Sequence, residues 1–372
     1  MSYSGGTSRG VELAKEFQKI GWLRDFYTPR YNRKDIRNVR KSALVFLFKA
    51  FMWRSRDIRR AKPTERYWMC ELHDRWVARN LEKGADLLLA EGQIALHTIR
   101  RAKQLGMVTV VDRTNSHIAH QSEIWDEENR KLGIKWPANS ARVIQKGIQE
   151  YEEADYTSVL SSFVANTFLE RGYPREKLLL VLPGIDLQPF RPLEKGDKTF
   201  RVVYCGWASS KKGTHYLLQA FSELNLKDAE LWLIGSVSGE MIPYMEKYKG
   251  HYKTIGQIKR SELYKYYAQG DVFSLPSLEE GLAKVTIEAM ACGLPVIATP
   301  NTGAEDVVRE GVDGFIVPIR DVEVLKEKIL YMYEHQSICR EMGQSARERV
   351  HTEFTLEQYL GRMMTAFTKI VP

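Results

Sequence analysis

A doubly wound α/β architecture in two domains is predicted by three observations. Short apolar stretches of strand length alternate with helix-length segments, the pattern of parallel sheets covered by helices on both faces. A linker with three prolines and a glycine, Pro183-Gly184-Ile185-Asp186-Leu187-Gln188-Pro189-Phe190-Arg191-Pro192, interrupts that alternation. At 372 residues the chain exceeds one ordinary domain. The expected division is 1–185 and 199–354, two domains facing a central cleft, with 355–372 as a C-terminal helix packing back towards the first.

Before the linker, helices are expected over 10–19, 94–104, 141–154 and 163–171, and strands over 86–90, 107–111, 156–160 and 178–182. After it, strands at 201–205, 230–234, 271–275 and 295–298 alternate with helices at 213–224, 260–269 and 283–292. Asp313-Gly314 reads as a turn before a strand over 315–317. Ligands in such sheets bind outside the carboxyl ends of the strands, so the loops that follow 107–111, 201–205 and 271–275 are where chemistry is sought.

The composition is that of a globular protein, 44% hydrophobic and 27% charged. No apolar run approaches the roughly 20 residues of a membrane span, and no secretory leader opens the chain. Cys70, Cys205, Cys292 and Cys339 are too scattered for a disulfide framework or a metal-binding pair, so a reducing cytoplasm is expected. The net charge of +8 lies in the first half, most densely in 30–66, with 13 basic and 3 acidic residues. There, Arg and Lys flank an apolar stretch over 43–53, which fits an interfacial helix on an anionic membrane or a buried helix with a basic rim. No recognised nucleic-acid-binding module accompanies the charge.

The most informative stretch runs from Ser277 to Ile297. Glu280 stands in a loop after an apolar strand, Gly281-Leu282-Ala283 follow, and a short helix carries Glu288. The start of that helix, Ala283, Lys284 and Val285, offers N–H groups and partial positive charge to a phosphate. The carboxylates accept hydrogen bonds from hydroxyls. Eight residues of helix would separate them by roughly 12 Å, beyond the roughly 5–9.5 Å of a glycosidase pair. They therefore read as two contacts along one extended ligand, a nucleotide sugar; the plain alternative is two surface glutamates.

This stretch resembles the nucleotide-binding signature of the family 4 glycosyltransferases, which have the GT-B fold. Gly206-Trp207-Ala208-Ser209-Ser210-Lys211-Lys212-Gly213 is similar to that family's loop after the first strand of its second domain. Thr302-Gly303-Ala304-Glu305, Gly311, Asp313-Gly314, Glu153-Ala154-Asp155 and Leu160-Ser161-Ser162 agree in order and spacing. The resemblance covers most of 85–355 and is strongest after the linker. It implies a retaining sugar transfer from a nucleotide diphosphate sugar to a glycan or lipid-linked acceptor, with no metal required; no Asp-x-Asp occurs in the chain. It assigns Glu288 to the ribose, Glu280 to the transferred sugar, and Lys212 with the backbone of 283–285 to the departing diphosphate. Gly206 and the backbone of Gly281 and Leu282 belong to the same donor site.

The chain departs from the family at Trp207, where an Arg is usual, and at Leu282 and Ala283, where Phe and Gly are usual. Lys211, Arg9 or Lys284 are candidates for the missing charge. Lys212 and Lys211 are read against the alternative of solvated lysines; the order of Gly and Lys excludes a Walker A loop. His117, after the strand at 107–111, is placed by resemblance beside the donor sugar, while a structural histidine or, with His120, an incomplete metal pair are the other readings. Gly6, in the glycine-rich loop before the first helix, resembles the family's first loop, against the alternative of a tail. Only Met1-Ser2-Tyr3 precede that loop, so either the first sheet lacks a strand or the reading frame begins late. A nucleotide-sugar epimerase or hydrolase, or a non-catalytic sugar- or membrane-binding protein of this fold, is the runner-up function.

Overall fold

The computed structural model describes residues 1–3, 8–28, 35–41, 63–135 and 137–371. The basic stretch proposed for a membrane surface is largely outside the described residues, as is Gly6. Among the described residues no helix is long and apolar enough to cross a membrane.

The first sheet is built from β1 (Phe26–Tyr27), β2 (Val39–Arg40), β3 (Leu87–Glu91), β4 (Val108–Arg113), β5 (Tyr156–Val159) and β6 (Leu178–Leu180), all parallel. The expected gap at the N-terminus is filled. Ser2 bridges both Tyr27 of β1 and Ala90 of β3. Its N–H donates to Leu89 O at 2.9 Å and its carbonyl accepts from Glu91 N–H at 2.9 Å, while Tyr3 N–H donates to Tyr27 O at 3.1 Å. Three residues thus serve as an innermost strand, too short to register as an apolar run. The order becomes β2, β1, Met1–Tyr3, β3, β4, β5, β6.

The second sheet holds six parallel strands: β7 (Phe200–Cys205), β8 (Ala229–Ile234), β9 (Lys253–Gly256), β10 (Val272–Leu275), β11 (Val296–Ala298) and β12 (Gly314–Ile316). Their order is β12-β11-β10-β7-β8-β9. In both sheets the chain starts in the middle, winds outward one way, then returns and winds outward the other. The topological switch points fall between Met1–Tyr3 and β3, and between β7 and β10. Crevices at the carboxyl ends of such points are where doubly wound sheets bind ligands.

Every residue of β7 and of β10 is buried, because central parallel strands are covered on both faces. That makes them legible as apolar runs. The edge strand β9, Lys253-Thr254-Ile255-Gly256, is half exposed and carries no such run, so the sequence does not mark it. The stretch expected as one helix over 260–269 is a 3-10 turn, Arg260–Glu262, followed by a short helix, Leu263–Tyr267. Helices Pro63–Asn80, Ile118–Lys131, Val322–Glu334 and Gln336–Glu353 lie outside the expected segments as well.

The last helix, Leu356–Thr368, opens on a reciprocal capping box between Thr355 and Gln358. Tyr359, Met363 and Phe367 recur at helical spacing and pack with Tyr3, Leu13, Phe17 and Phe26 of the N-terminal core. The chain therefore crosses between the halves twice, side by side, with Ile185 bridged to Thr355. All four cysteines are free thiols.

Candidate active site at the second switch point

The loop after β7 and the loop after β10 meet at the switch point. Leu278 N–H donates to Lys211 O at 2.9 Å. Gly213 has φ +62°, and a Cβ there would fall 2.9 Å from the Pro276 carbonyl carbon, so only glycine lets the loops approach this closely. The loop after β10 is also fastened to the one after β11: Glu280 N–H donates to Asn301 O at 2.8 Å and Ala283 N–H to Thr302 O at 3.2 Å.

This scaffold brings the Lys212 ammonium onto the Glu280 carboxylate as an ion pair. Ser277 Oγ donates to the same carboxylate at 3.3 Å. Burial lowers the Lys212 pKa to about 8, against opposing pulls from Glu279 and the Cys205 thiol. Lys212 is thus charged below about pH 8 and neutral above it. A phosphate ligand, whose second pKa is about 6, keeps its charge across that range. Nucleoside diphosphate affinity is therefore expected to decline as pH rises above about 8, with the inflection absent from Lys212→Ala; calorimetric titration from pH 6.5 to 9.5 checks it.

Lys211 turns the other way. Its ammonium lies 3.5 Å from the centre of the Trp125 ring, on the facing domain. Trp207 lies in the same loop, and its carbonyl accepts from Tyr204 OH at 3.2 Å. Gly206, at φ +148°, lies where the loop leaves β7.

Helix Lys284–Ala291 begins after Ala283, which provides no side-chain cap. Because the Ala283 N–H is already bonded to Thr302, the open first-turn donors begin at Lys284 and Val285. Only the part from Lys284 onward is helical, so the roughly 12 Å expected between Glu280 and Glu288 from eight helical residues does not apply. Glu288 is buried and accepts from Arg260 Nε at 2.8 Å, and burial raises its pKa. Leu282 packs its side chain into the core, leaving only its backbone for a ligand. Gly281 O accepts from Ser161 Oγ at 2.6 Å across the cleft.

His117 is the N-cap of helix Ile118–Lys131, its Nδ1 accepting from Ala119 N–H at 3.2 Å. The ring packs against Tyr151 and Phe168, and burial lowers its pKa to about 3. It is a neutral imidazole whose proton sits on Nε2. Arg9 is bound bidentately to Asp112, at 2.9 Å for each bond, and is buried, so it is not a spare phosphate cation.

Several residues that organise the cleft had no signal in one sequence. Glu279, buried beside Glu280, accepts from Ser116 N–H at 2.8 Å and Gln121 Nε2 at 2.9 Å. Asp306 accepts from Ser162 N–H and Oγ, both at 2.7 Å. Glu128 meets His215 Nε2 and Arg320 Nε, both at 2.8 Å. Glu12 contacts Lys284 and Arg260 from the other domain. Each is a carboxylate whose partner lies on a distant segment.

Glu71, Asp74 and His97 form a separate cluster with metal-ligand chemistry. The Lys146 ammonium lies 2.7 Å from both carboxylates and already supplies their positive charge. Asp74 also accepts from Thr98 N–H at 2.9 Å. A cavity of about 560 Å³ lies against Phe17, Trp22, Leu87 and Met107, at the opening ends of β3 and β4 rather than at the carboxyl ends.

Two doubly wound domains with a basic and acidic site between them define the GT-B fold, and solved structures share it. Sucrose-phosphate synthase from Thermosynechococcus elongatus superposes with a TM-score of 0.75 at 19% identity, covering 98% of this chain and 94% of that one. Anabaena Alr3699/HepE in complex with UDP and glucose gives 0.72 at 15%, covering 99% and 98%. In sequence, residues 188–349 match the model of glycosyl transferases group 1. That match runs from the end of the linker over the second sheet and its loops. The capsular polysaccharide biosynthesis glycosyltransferase CapM of Staphylococcus aureus is 33% identical over 181 residues, 46% of this chain. The match spans about half, 48%, of that relative's length.

Proposed function

We propose that the chain is a family 4 glycosyltransferase that moves a sugar from a nucleoside diphosphate sugar to an acceptor hydroxyl, with retention and without a metal. The observation that carries this reading is the Lys212–Glu280 pair at the second switch point, beside an uncapped helix that bears Glu288. The group 1 match over the same domain supports it, as does a structural neighbour described in complex with UDP and glucose.

In this reading Glu288 holds the ribose hydroxyls and the backbone of 284–285 faces the diphosphate. Glu280 receives the sugar's hydroxyls, and Lys212 offsets charge on the departing diphosphate. The bond from the anomeric carbon to the diphosphate oxygen breaks, and its electron pair leaves with that oxygen. The acceptor oxygen bonds the anomeric carbon from the same face, and its proton passes to the leaving diphosphate. The acceptor, a glycan or a lipid-linked sugar, enters from the N-terminal domain. Screening UDP-, GDP-, ADP- and dTDP-sugars for a thermal shift identifies the donor, because binding raises apparent stability by mass action. The reading expects one nucleotide class to stand out, and silence across all four would count against it.

A further inference from the structure

The charged groups that face the cleft are paired across it. Glu12, on helix Ser8–Lys19 of the N-terminal domain, places Oε2 2.7 Å from Lys284 Nζ and Oε1 3.4 Å from Arg260 Nη1. Arg260 Nε in turn lies 2.8 Å from Glu288 Oε1. Lys284, Glu12, Arg260 and Glu288, in that order, thus form a continuous chain of alternating charge across the cleft.

Lys284 is the first residue of the helix, between Glu280 and Glu288 along the chain. On the reading above, which this inference rests on, Glu288 takes the ribose and Glu280 the sugar. The diphosphate joins those two parts of the ligand and must pass the segment between them. Lys284 is the ammonium on that segment, and it stands at the positive end of the helix. Its present counter-ion is a carboxylate from the opposite domain. A diphosphate carries more charge than one carboxylate and accepts from N–H groups as well.

We propose that Lys284 is a second phosphate-binding cation and that Glu12 is a resident anion which the donor's diphosphate displaces. Glu12 then sets donor affinity: it holds the cleft ion-paired while empty and competes with the incoming phosphates. Because both charges are partly exposed, with side chains 23% and 30% accessible for Lys284 and Glu12, the competition weakens with salt.

The test is calorimetric titration of UDP, GDP, ADP and dTDP into the full chain, followed by the best of these against E12Q, K284A and E12Q/K284A. Matching nucleosides without phosphates serve as controls. The expected results are about 5- to 10-fold tighter diphosphate binding by E12Q and about tenfold weaker binding by K284A. The double variant should bind more weakly than E12Q, since Lys284 is the nearer of the two cations that Glu12 contacts. Nucleoside binding should not move in E12Q, and its tightening there would overturn the inference in favour of a general loosening of the cleft. Wild-type binding that E12Q leaves unchanged or weakens overturns the Glu12 inference alone. Wild-type silence towards all four diphosphates overturns both this inference and the proposed function.

Discussion

Lys212→Ala is expected to lower sugar transfer about 10²- to 10³-fold, mostly in kcat. In the proposed reading the ammonium faces the point where negative charge grows as the diphosphate departs, so it would stabilise the transition state more than the bound donor. Lys211 does not compensate, because its ammonium is held over Trp125 on the facing domain. Arg9 is committed to Asp112. The substitution leaves Glu280, 16% exposed, without its ion pair. Because burial already depresses the Lys212 pKa, the unpaired carboxylate costs more than an exposed one would, and the melting temperature should fall as well. Steady-state kinetics beside a thermal melt separate the two effects. A variant that keeps full turnover would remove Lys212 from the chemistry.

Gly281→Ala is expected to damage both stability and turnover. A Cβ at 281 would sit on the Thr114 carbonyl oxygen and 2.6 Å from its carbon, and those are backbone atoms that cannot rotate away. The Gly281 carbonyl also receives Ser161 Oγ. The alanine must push apart two loops that meet across the cleft, one of which carries Glu279 and Glu280. A loss of roughly 3 kcal/mol is expected, with turnover falling because the ion-pair partners shift together. Gly239→Ala is the control, since nothing lies within 4 Å of a Cβ there. Equal melting temperatures for the two variants would contradict the packing described here.

What could be read in the sequence follows from burial. β7 and β10 are covered on both faces, so they appear as unbroken apolar runs and were found within a residue of their observed ends. β9 is a half-exposed edge, and Met1–Tyr3 is a strand only because β1 and β3 flank it. Neither has a local signature. The site divides in the same way. Glu280 and Lys212 lie on loops and Lys284 opens a helix, all beside glycines and strands that mark them. Glu279, Glu12 and Asp306 act through partners more than 100 residues away, and one sequence without its fold does not pair them. His117 had a loop position after β4 that suits a ligand contact, but its Nδ1 is used by the helix it caps.

In the proposed function, the loops after β7 and β10 hold a donor whose sugar leaves for an acceptor. The most direct measurement is release of nucleoside diphosphate from the donor found by the thermal-shift screen, with and without a panel of glycan and lipid-linked acceptors. Release should depend on acceptor and yield a glycosylated product with the donor's anomeric configuration, and both should collapse in Lys212→Ala and Glu280→Ala. Release or sugar rearrangement with donor alone, or turnover untouched in both variants, would contradict it.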